Sequence, residues 1–311
     1  MTREKCRNFI LSYRGDIPQG AMLSIIGIVV VICAILGGYL MEHGSLIVLM
    51  QPAELLIIGG AAIGTLLIAN PIAVLEALLK ESTGVFKSDP YDKVRYLHTL
   101  KMLNDVFSRG RKGGIASLEP DVEDPQKSEL FKRYDFILKD HYALDFICDT
   151  LRVAMTGTIS HFDLDQMIEL DLEVHHWEAS APVVALSTVA DALPGLGIVA
   201  AVLGVVITMQ AIGGPPAEIG HKVAAALVGT FLGVLLCYGF FGPIAIAMTR
   251  MNDVKSRYFN CLRSGLISFV RGAPAILAVK FSRRSIPAAV RPSFVEMEAF
   301  CKGINPAEKP H

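Results

Sequence analysis

Four long apolar stretches, grouped in two pairs, dominate the pattern of hydrophobic and polar positions along the chain. They cover residues 23–41, about 55 to 79, about 183 to 212 and 223 to about 248. A helix needs about 20 apolar residues to cross a bilayer, because it rises about 1.5 Å per residue through a core about 30 Å thick. The pattern therefore predicts four membrane-spanning helices, with a long and more polar segment between the two pairs.

The distribution of lysine and arginine predicts how these helices are oriented. Residues 1–22 hold four basic residues, residues 80–182 hold thirteen and the tail from residue 250 holds eleven, whereas residues 42–52 hold none. The connector between spans three and four has only Lys222, at its edge. Since cytoplasmic loops carry an excess of Lys and Arg, we expect both termini and the middle segment in the cytoplasm, with two short loops outside.

This topology predicts an all-α integral membrane protein with four transmembrane helices in two pairs and a large helical cytoplasmic domain. The expected segments are an N-terminal cytoplasmic extension (1–22), helices 1 and 2 (23–79), a cytoplasmic helical domain (80–182), helices 3 and 4 (183–249) and a cytoplasmic tail (250–311). The first apolar run is too long for a signal peptide and lacks a small-residue cleavage site, so we expect it to stay uncleaved. Met22 directly precedes that run and is an alternative start of the chain.

Composition agrees with a membrane protein and narrows the classes of function. Hydrophobic residues make up 52% of the 311 residues and charged residues 19%, below the roughly 25% of an average soluble domain. A net charge of −1 disfavours nucleic acid as a partner. The six cysteines have no paired spacing, which argues against a disulfide framework or a zinc site.

The sequence lacks the fingerprints of the common enzyme and nucleotide sites, including HExxH, P-loop, GxSxG and Rossmann motifs. Residues 162–178 predict an acidic helix, but its carboxylates lack the central glycine of a calcium loop. His175 and His176 are adjacent and point to different faces. We therefore expect no enzyme activity, no metal and no cofactor, and interpret the carboxylates as a solvated helix face.

The middle segment contains a predicted helix with a strongly basic end. Residues 88–90 (Ser-Asp-Pro) are typical of a helix start, and Gly113 and Gly114 of a helix end, after Arg111 and other basic residues. These cations could stabilise the last carbonyl groups of the helix, or they could form a charged tip that faces another protein. A second helix is predicted to start at Asp124-Pro125 and to run through Tyr134.

Ionisable residues are nearly absent from the predicted spans, although such residues usually mark ion pathways. Glu54 and Glu218 lie towards the outside, Glu76 and Asp191 lie near inner ends, and none falls near the midplane. If the chain conducts ions, we expect a partner to supply the membrane carboxylate.

Spans three and four carry prolines, glycines and one central hydroxyl group. Pro194 and Pro243 each remove a backbone hydrogen bond and permit a kink. Gly229 and Gly233 form a close-packing motif around the polar Thr230. Simple helix packing and moving parts both explain these residues, and two prolines in the same membrane half favour moving parts.

Six motifs relate the chain to a known family. They are QPAEL (51–55), RKGGIASLE (111–119), LPGLGIVAAVLGVV (193–206), VGTFLG (228–233), GFFGP (239–243) and RPSFVEME (291–298). In this order, and with four spans, they resemble the flagellar motor stator subunits of the MotA family, within the MotA/TolQ/ExbB proton channel superfamily. The resemblance covers nearly the whole chain from residue 22 to about residue 298.

The resemblance implies a motor subunit of the bacterial inner membrane. In that family five copies surround two copies of the single-span partner MotB, whose membrane aspartate takes and releases the ion. Ion passage is thought to turn the ring, surrounded by membrane lipid, while the cytoplasmic segment pushes the rotor protein FliG. We therefore expect a homo-oligomer, a pentamer by resemblance, with a MotB-type partner and a role in flagellar rotation and chemotaxis.

The resemblance also assigns roles to individual residues. Arg111 and Glu119 match the family's charged rotor-contact positions, and Pro194 and Pro243 match its two prolines at the inner ends of spans three and four. Thr230 matches the pore-lining threonine that faces the partner's aspartate.

One position bears on the transported ion. Sodium-driven relatives place a threonine where this chain has Ala201, and a hydroxyl oxygen is a suitable sodium ligand whereas a methyl group is not. We therefore expect proton coupling. Pro120, directly after Glu119, departs from the family pattern and alters how that carboxylate is presented.

Two other functions remain as alternatives. An ion-driven energiser of the TolQ/ExbB type is disfavoured because those relatives have three spans and no rotor-facing segment. A non-conducting membrane scaffold would explain the missing carboxylates but gives no role to Thr230 or to the two prolines.

Overall fold

The computed structural model describes residues 19–87, 90–210 and 212–303, with the side chains from residue 22 onward. These residues form thirteen α-helices and no strand, which confirms the predicted all-α class. The helices are α1 Gln19–Met41, α2 Leu46–Leu49, α3 Pro52–Ala69, α4 Ile72–Gly84, α5 Lys93–Gly113, α6 Glu119–Glu123, α7 Asp135–Leu138, α8 His141–Met155, α9 His161–Met209, α10 Pro216–Leu235, α11 Gly242–Val270, α12 Ala275–Ser285 and α13 Phe294–Lys302.

The chain divides into two compact units. The spanning unit comprises residues 19–87 and Trp177–Asn252, and the polar unit comprises Pro90–His176 and residues 253–303. The long helices α9 and α11 contribute residues to both units. Within the described residues, four helical segments are long and apolar enough to cross a membrane.

The second predicted span is interrupted at Pro71. The helix α3 ends at Ala69, and Asn70 has the extended conformation (φ −131°, ψ 142°) that a residue before proline prefers. A new helix, α4, begins at Ile72. The expectation of one continuous span from about residue 55 to 79 is therefore wrong, because proline ended the helix rather than bending it.

The third span and the acidic segment before it form one helix. The helix α9 runs for 49 residues with both Pro182 and Pro194 inside it, and ends at Met209 rather than at residue 212. Proline inside a helix costs a hydrogen bond, which neighbouring helices can compensate in a membrane. The acidic helix that the sequence predicts over residues 162–178 is thus the first part of α9.

The fourth span is not a single α-helix. The helix α10 is followed by a π-helical segment, Leu236–Phe241, before α11 begins at Gly242. A Cβ atom on Gly242 would lie 2.9 Å from the carbonyl oxygen of Cys237, so the wider turn leaves room for glycine alone. π-Helical turns often occur at functional sites.

One core cluster of the spanning unit joins α3, α9 and the π-helical segment. Its buried residues are Ile58, Ala62, Val189, Leu193, Ala200 and Cys237. The helix α1 buries none of its apolar window within this chain. Its apolar side chains therefore face lipid or another chain.

In the polar unit, the ends of α5 are set by local hydrogen bonds. The side chain of Asp92 accepts a hydrogen bond from the backbone N–H of Arg95 at 2.7 Å and caps the helix, which begins at Lys93. The start predicted at residues 88–90 is wrong, because Pro90 lies before the helix and the cap is Asp92; Ser88 and Asp89 lie outside the described residues. The predicted stop is confirmed, because α5 ends at Gly113 and Gly114 has a φ of 76° that favours glycine.

Residues 124–134 do not form the helix that Asp124-Pro125 predicts. They form turns and a 3₁₀ turn at Phe131–Arg133. The hydroxyl of Ser128 accepts hydrogen bonds from the N–H groups of Leu130 and Phe131 at 3.1 and 3.2 Å. These local bonds compete with the helical ones.

The core of the polar unit is aromatic and aliphatic. The ring of Phe107 on α5 stacks on that of Phe269 on α11, with centroids 4.6 Å apart and an angle of 8° between the planes. Both side chains are buried. This contact holds the basic end of α5, which contains Arg111, beside the end of α11.

Candidate ion pathway and charged tip

The helices α9 and α10 cross at a contact built from glycine. A Cβ atom on Gly233 would lie 2.5 Å from the carbonyl oxygen of Leu193, and one on Gly197 would lie 2.8 Å from that of Gly229. Real Cβ atoms do not approach backbone so closely, so only glycine permits this crossing. Small residues allow helix backbones to approach in the same way in many membrane proteins.

Ala201 and Thr230 both lie at this crossing. Thr230 follows Gly229 on α10 and is half-buried, and a Cβ atom on Gly229 would lie 3.3 Å from the backbone nitrogen of Ala201. On α9, by comparison, the hydroxyl of Thr208 donates a hydrogen bond to the carbonyl oxygen of Gly204 at 2.8 Å. Within the described residues, no hydrogen bond satisfies the hydroxyl of Thr230, which leaves its oxygen available to an ion or to another chain.

A carboxylate also reaches this crossing, which sequence reasoning missed. Glu54 is only 6% exposed and lies on the buried face of α3, in line with Ile58 and Ala62. The sequence placed Glu54 at the outer end of a span and gave it no role. A signal was present in the i, i+4, i+8 spacing of these three residues, which puts them on one helix face.

Pro194 and Pro243, which the sequence relates to moving parts and so to conformational coupling, lie in different helical contexts. Pro194 lies inside the continuous helix α9, one residue after Leu193, whose carbonyl oxygen faces Gly233. Pro243 is the second residue of α11, and only Gly242 separates it from the π-helical segment. Pro194 therefore lies beside the close contact between Leu193 and Gly233, and Pro243 lies beside the π-helical segment.

In the polar unit, the guanidinium group of Arg111 is bound rather than free. Its Nε donates to the carbonyl oxygen of Ala273 at 3.1 Å, and a terminal nitrogen donates to that of Phe269. The guanidinium carbon lies 4.6 Å from the centroid of the Phe269 ring. Arg111 therefore binds one carbonyl group in the last turn of α11 and one in the turn that follows, as basic side chains commonly do at helix C-termini.

Glu119, by contrast, is exposed at the start of α6 and forms no ion pair with any residue in the described part of the chain. Pro120 occupies the first turn of α6, where its missing N–H costs nothing. The neighbouring Asp121 is 5% exposed, pairs with Arg109 at 3.1 Å and accepts a hydrogen bond from Ser128 at 2.6 Å. These bonds hold the turn from which Glu119 projects.

A second ion-pair network in the polar unit was not predictable from spacing. Asp165 on α9 pairs with Arg263 at 2.8 Å and with Arg271 at 3.3 Å, and Arg263 also reaches Glu169 at 3.2 Å. The partners are about a hundred residues apart in sequence and meet only in the fold. The acidic helix face was predicted to be solvated. It is instead partly neutralised by Arg263 on α11 and by Arg271 in the turn after it.

Burial shifts the ordinary titration of several groups in the polar unit. It raises the pKa of the Cys148 and Cys301 thiols to about 12, and of the Tyr258 hydroxyl to about 12. Burial thus favours the neutral form of all three groups.

Two family models match the chain. Residues 25–114 match the motility protein A N-terminal model, and residues 143–260 match that of the MotA/TolQ/ExbB proton channel family. Together they cover the spans, the basic end of α5 and the crossing of α9 with α10.

Relatives of known identity match along most of the chain. It is 39% identical over 289 residues to motility protein A of Escherichia coli, covering 93% of this chain and 98% of that protein. It is 36% identical over 277 residues to chemotaxis protein LafT of Vibrio parahaemolyticus, covering 89% and 97% of the two chains.

Solved structures share the fold. A structure of Campylobacter jejuni (C. jejuni) MotAB matches with a TM-score of 0.71 at 16% identity, covering 88% of this chain and 99% of the other. The flagellar MotAB stator complex of Bacillus subtilis matches with a TM-score of 0.68 at 20% identity, covering 85% and 96%. The chain thus belongs to the motility protein A family, the flagellar stator subunits among the MotA/TolQ/ExbB proton channel proteins.

Proposed function

We propose that this chain couples proton flow across the bacterial inner membrane to torque on the flagellar rotor. The observation that carries this function is the 39% identity to motility protein A over 93% of the chain. The glycine crossing with Thr230 beside it supports a pathway for ions in the spanning unit. The role is mechanical coupling to ion flow, and we assign no covalent chemistry to this chain.

We propose that a MotB-type single-span partner completes the pathway and supplies the ion-binding aspartate. The related solved structures are of MotAB assemblies. The unburied apolar side chains of α1 support contacts with lipid or with further copies of this chain. The proposed ring of five copies around two partners follows the family resemblance. The excess of Lys and Arg outside the spans supports cytoplasmic N- and C-termini.

The transported ion in this proposal is a proton, with no bound cofactor. Ala201 offers a methyl group at the position where sodium-driven relatives carry a hydroxyl, and sodium requires oxygen ligands. In this scheme the half-buried Thr230, whose hydroxyl has no hydrogen bond within the described residues, faces the partner's aspartate.

We further propose that the segment from Arg111, near the end of α5, to Glu119, at the start of α6, contacts the rotor protein FliG. Exposure, and the lack of an ion partner in the part of the chain that the structure describes, support Glu119 as the group that touches the rotor. The bonds of Arg111 to Phe269 and Ala273 support a positioning role for that residue within the same contact. Pro194 and Pro243 would transmit ion-driven movement along α9 and α11.

The function is tested by deleting the gene and recording swimming and tethered-cell rotation, with filaments counted by microscopy. Paralysed cells with normal filaments, rescued by the gene and stopped by a protonophore, are the expected result. Rotation that depends on external sodium instead would overturn the assignment of the proton as the transported ion, while the stator function would stand. Unimpaired swimming, repeated after removal of any second stator gene, would overturn the stator role.

The hydroxyl of Thr230 is tested by two near-isosteric substitutions. Thr230→Val removes the oxygen at almost unchanged volume, and Thr230→Ser keeps it. We expect T230V to slow rotation strongly and T230S to retain most of it, with equal amounts of protein in the membrane. Equal speeds for the two variants would show that the hydroxyl has no part in the pathway.

A further inference from the structure

Glu54 is a buried carboxyl group in the apolar spanning unit. Its side chain is 6% exposed, and its Oε2 atom is buried without a hydrogen-bond partner in the described part of the chain. It lies on the face of α3 that packs against α10, in line with Ile58 and Ala62. A buried carboxylate without a partner is costly in such surroundings, so a carboxyl group retained there indicates a function.

Two glycines provide the space that this carboxyl group occupies. A Cβ atom on Gly229 would lie 2.6 Å from Oε2, and one on Gly204 would lie 3.5 Å from Oε1. Any other residue at position 229 would displace the carboxyl group. The site is therefore built by three helices, with Glu54 from α3, Gly204 from α9 and Gly229 from α10.

The site adjoins the residues of the proposed pathway. Thr230 directly follows Gly229, and Ala201 lies one helical turn before Gly204 on α9. Gly204 is five residues from the end of α9 at Met209, which corresponds to about 8 Å of helix. The carboxyl group of Glu54 is thus on the side of the crossing that the sequence places towards the outside.

No cation within the described residues neutralises Glu54. The charged or titratable side chains on α10 and on the part of α9 in this unit are Glu178, Asp191, Glu218, His221 and Lys222. Lys222 pairs with Glu218 at 2.9 Å, and none of the five forms an ion pair with Glu54. The helices α2 and α3 carry no other charged residue.

Both protonation states of Glu54 have a source of stability. Burial among apolar residues favours the neutral acid, whereas the N-terminal end of α3, whose first turn contains Glu54, favours negative charge. A group with these opposing influences can bind a proton and release it again.

We propose that Glu54 is a second proton-binding carboxyl group, carried by this chain itself on the outer side of the ion pathway. It takes up a proton from outside to form the carboxylic acid, and returns to the carboxylate when the proton passes inward past Thr230. This inference rests on the proposed function, because it requires proton flow through the spanning unit. The proposed pathway then contains two carboxyl groups, Glu54 from this chain and the aspartate from the MotB-type partner.

The test compares the rotation speed of tethered cells for E54Q and E54D across external pH, in cells expressing the complete stator. Glutamine matches glutamate in shape but cannot take up a proton, whereas aspartate keeps the acid on a shorter side chain. A proton-binding role predicts that E54D rotates faster than E54Q, and that E54Q loses several-fold in speed, most strongly in alkaline medium. A packing role predicts the reverse order, because glutamine fills the site better.

Glu218 provides a matched control. It is a half-exposed glutamate on the same side of the unit, and E218Q removes a carboxylate that already has Lys222 as a partner. We expect E218Q to rotate like the unmodified protein at every pH, and a loss in E218Q equal to that in E54Q would overturn the assignment to Glu54.

The outcomes separate this inference from the proposed function. Rotation of E54Q at full speed at all pH values, with normal amounts in the membrane, would overturn the role of Glu54 while the stator function stands. Rotation of unmodified cells that does not respond to a protonophore would overturn proton coupling itself. If E54Q does not reach the membrane, E54D decides the question. Rotation of E54D close to that of the unmodified protein supports the proposal, whereas loss of rotation in E54D at normal amounts in the membrane would overturn it.

Discussion

The guanidinium group of Arg111 lies over the ring of Phe269, 4.6 Å from the ring centroid, and donates a hydrogen bond to the carbonyl oxygen of the same residue. A third contact, to the carbonyl oxygen of Ala273 at 3.1 Å, ties the end of α5 to the turn after α11. Arg111, which is predicted to contact the rotor, thus also holds two parts of the polar unit together.

Replacing Arg111 should therefore cost stability as well as function. Lysine keeps the charge but cannot stack on Phe269 and bond two carbonyl groups at once. We expect R111K to lower the free energy of unfolding by about 1–2 kcal/mol. The measurement is thermal unfolding of the purified full-length protein in detergent, followed by circular dichroism.

Lys112 is the control for that experiment, because it is the next residue, is exposed and carries the same charge. We expect K112A to unfold like the unmodified protein. If R111K and K112A unfold at the same temperature, the contacts of Arg111 contribute nothing to stability.

Glu119 should behave in the opposite way. Since it is exposed and has no ion partner within the described residues, E119K should change the free energy of unfolding by less than about 0.5 kcal/mol. We expect it to weaken rotation nonetheless, and to be rescued by charge reversal at the matching position of the rotor protein. Glu129 is similarly exposed, and E129K should rotate normally. Normal torque in E119K would remove Glu119 from the rotor contact.

The glycine crossing predicts a sharp difference between two glycines of α10. A Cβ atom on Gly233 would meet the Leu193 carbonyl oxygen at 2.5 Å, whereas one on Gly220 would meet nothing within 4 Å. We expect G233A to destabilise the spanning unit by about 1–3 kcal/mol through overpacking and to abolish rotation. We expect G220A to be tolerated. Membrane levels and rotation measure both, and tolerance of G233A would mean that the two helices can separate without loss.

His98 makes the stability of the polar unit depend on pH. Burial, together with nearby Lys101, lowers the pKa of its imidazole despite the opposing effect of Asp92. Its ring lies 5.1 Å from that of Phe300, in an edge-on contact with α13. The folded protein therefore binds fewer protons at this site than the unfolded chain, so this contribution to stability is present at neutral pH and is lost as the pH falls below about 6.5.

The pH effect is checked by unfolding H98Q and the unmodified full-length protein at neutral and mildly acidic pH. We expect the loss of stability on acidification to be smaller in H98Q, because glutamine does not titrate. H161Q, which replaces an exposed histidine, should leave the slope unchanged. An equal slope in H98Q and the unmodified protein would contradict the assignment.

Sequence reasoning identified the spans because hydrophobic length is a local property, but it misjudged their ends. Pro71 was expected within a span and instead terminates α3, since the conformation of Asn70 depends on the residue that follows it. The π-helical turn before Pro243 was not predicted, because it depends on how Cys237 and Gly242 approach each other within the folded helix.

The same distinction separates the residues of the candidate site. Thr230 and Gly229 were found from a short motif, because close helix packing leaves a local trace of small residues. Asp165 and Arg263 left no such trace, since partners about a hundred residues apart become neighbours only when α9 and α11 pack together.

The helical class, the four apolar spans, the family and the glycine-rich motif of α10 follow from the residues alone, because each depends on local periodicity or on contiguous residues. The bonds of Arg111 to the end of α11 and to the turn after it, and the burial of the Glu54 carboxyl group against Gly204 and Gly229, are visible only in the folded chain. Both depend on distances between helices that are remote in sequence, and the energy of a charged group is set by what surrounds it in the fold rather than by its neighbours along the chain.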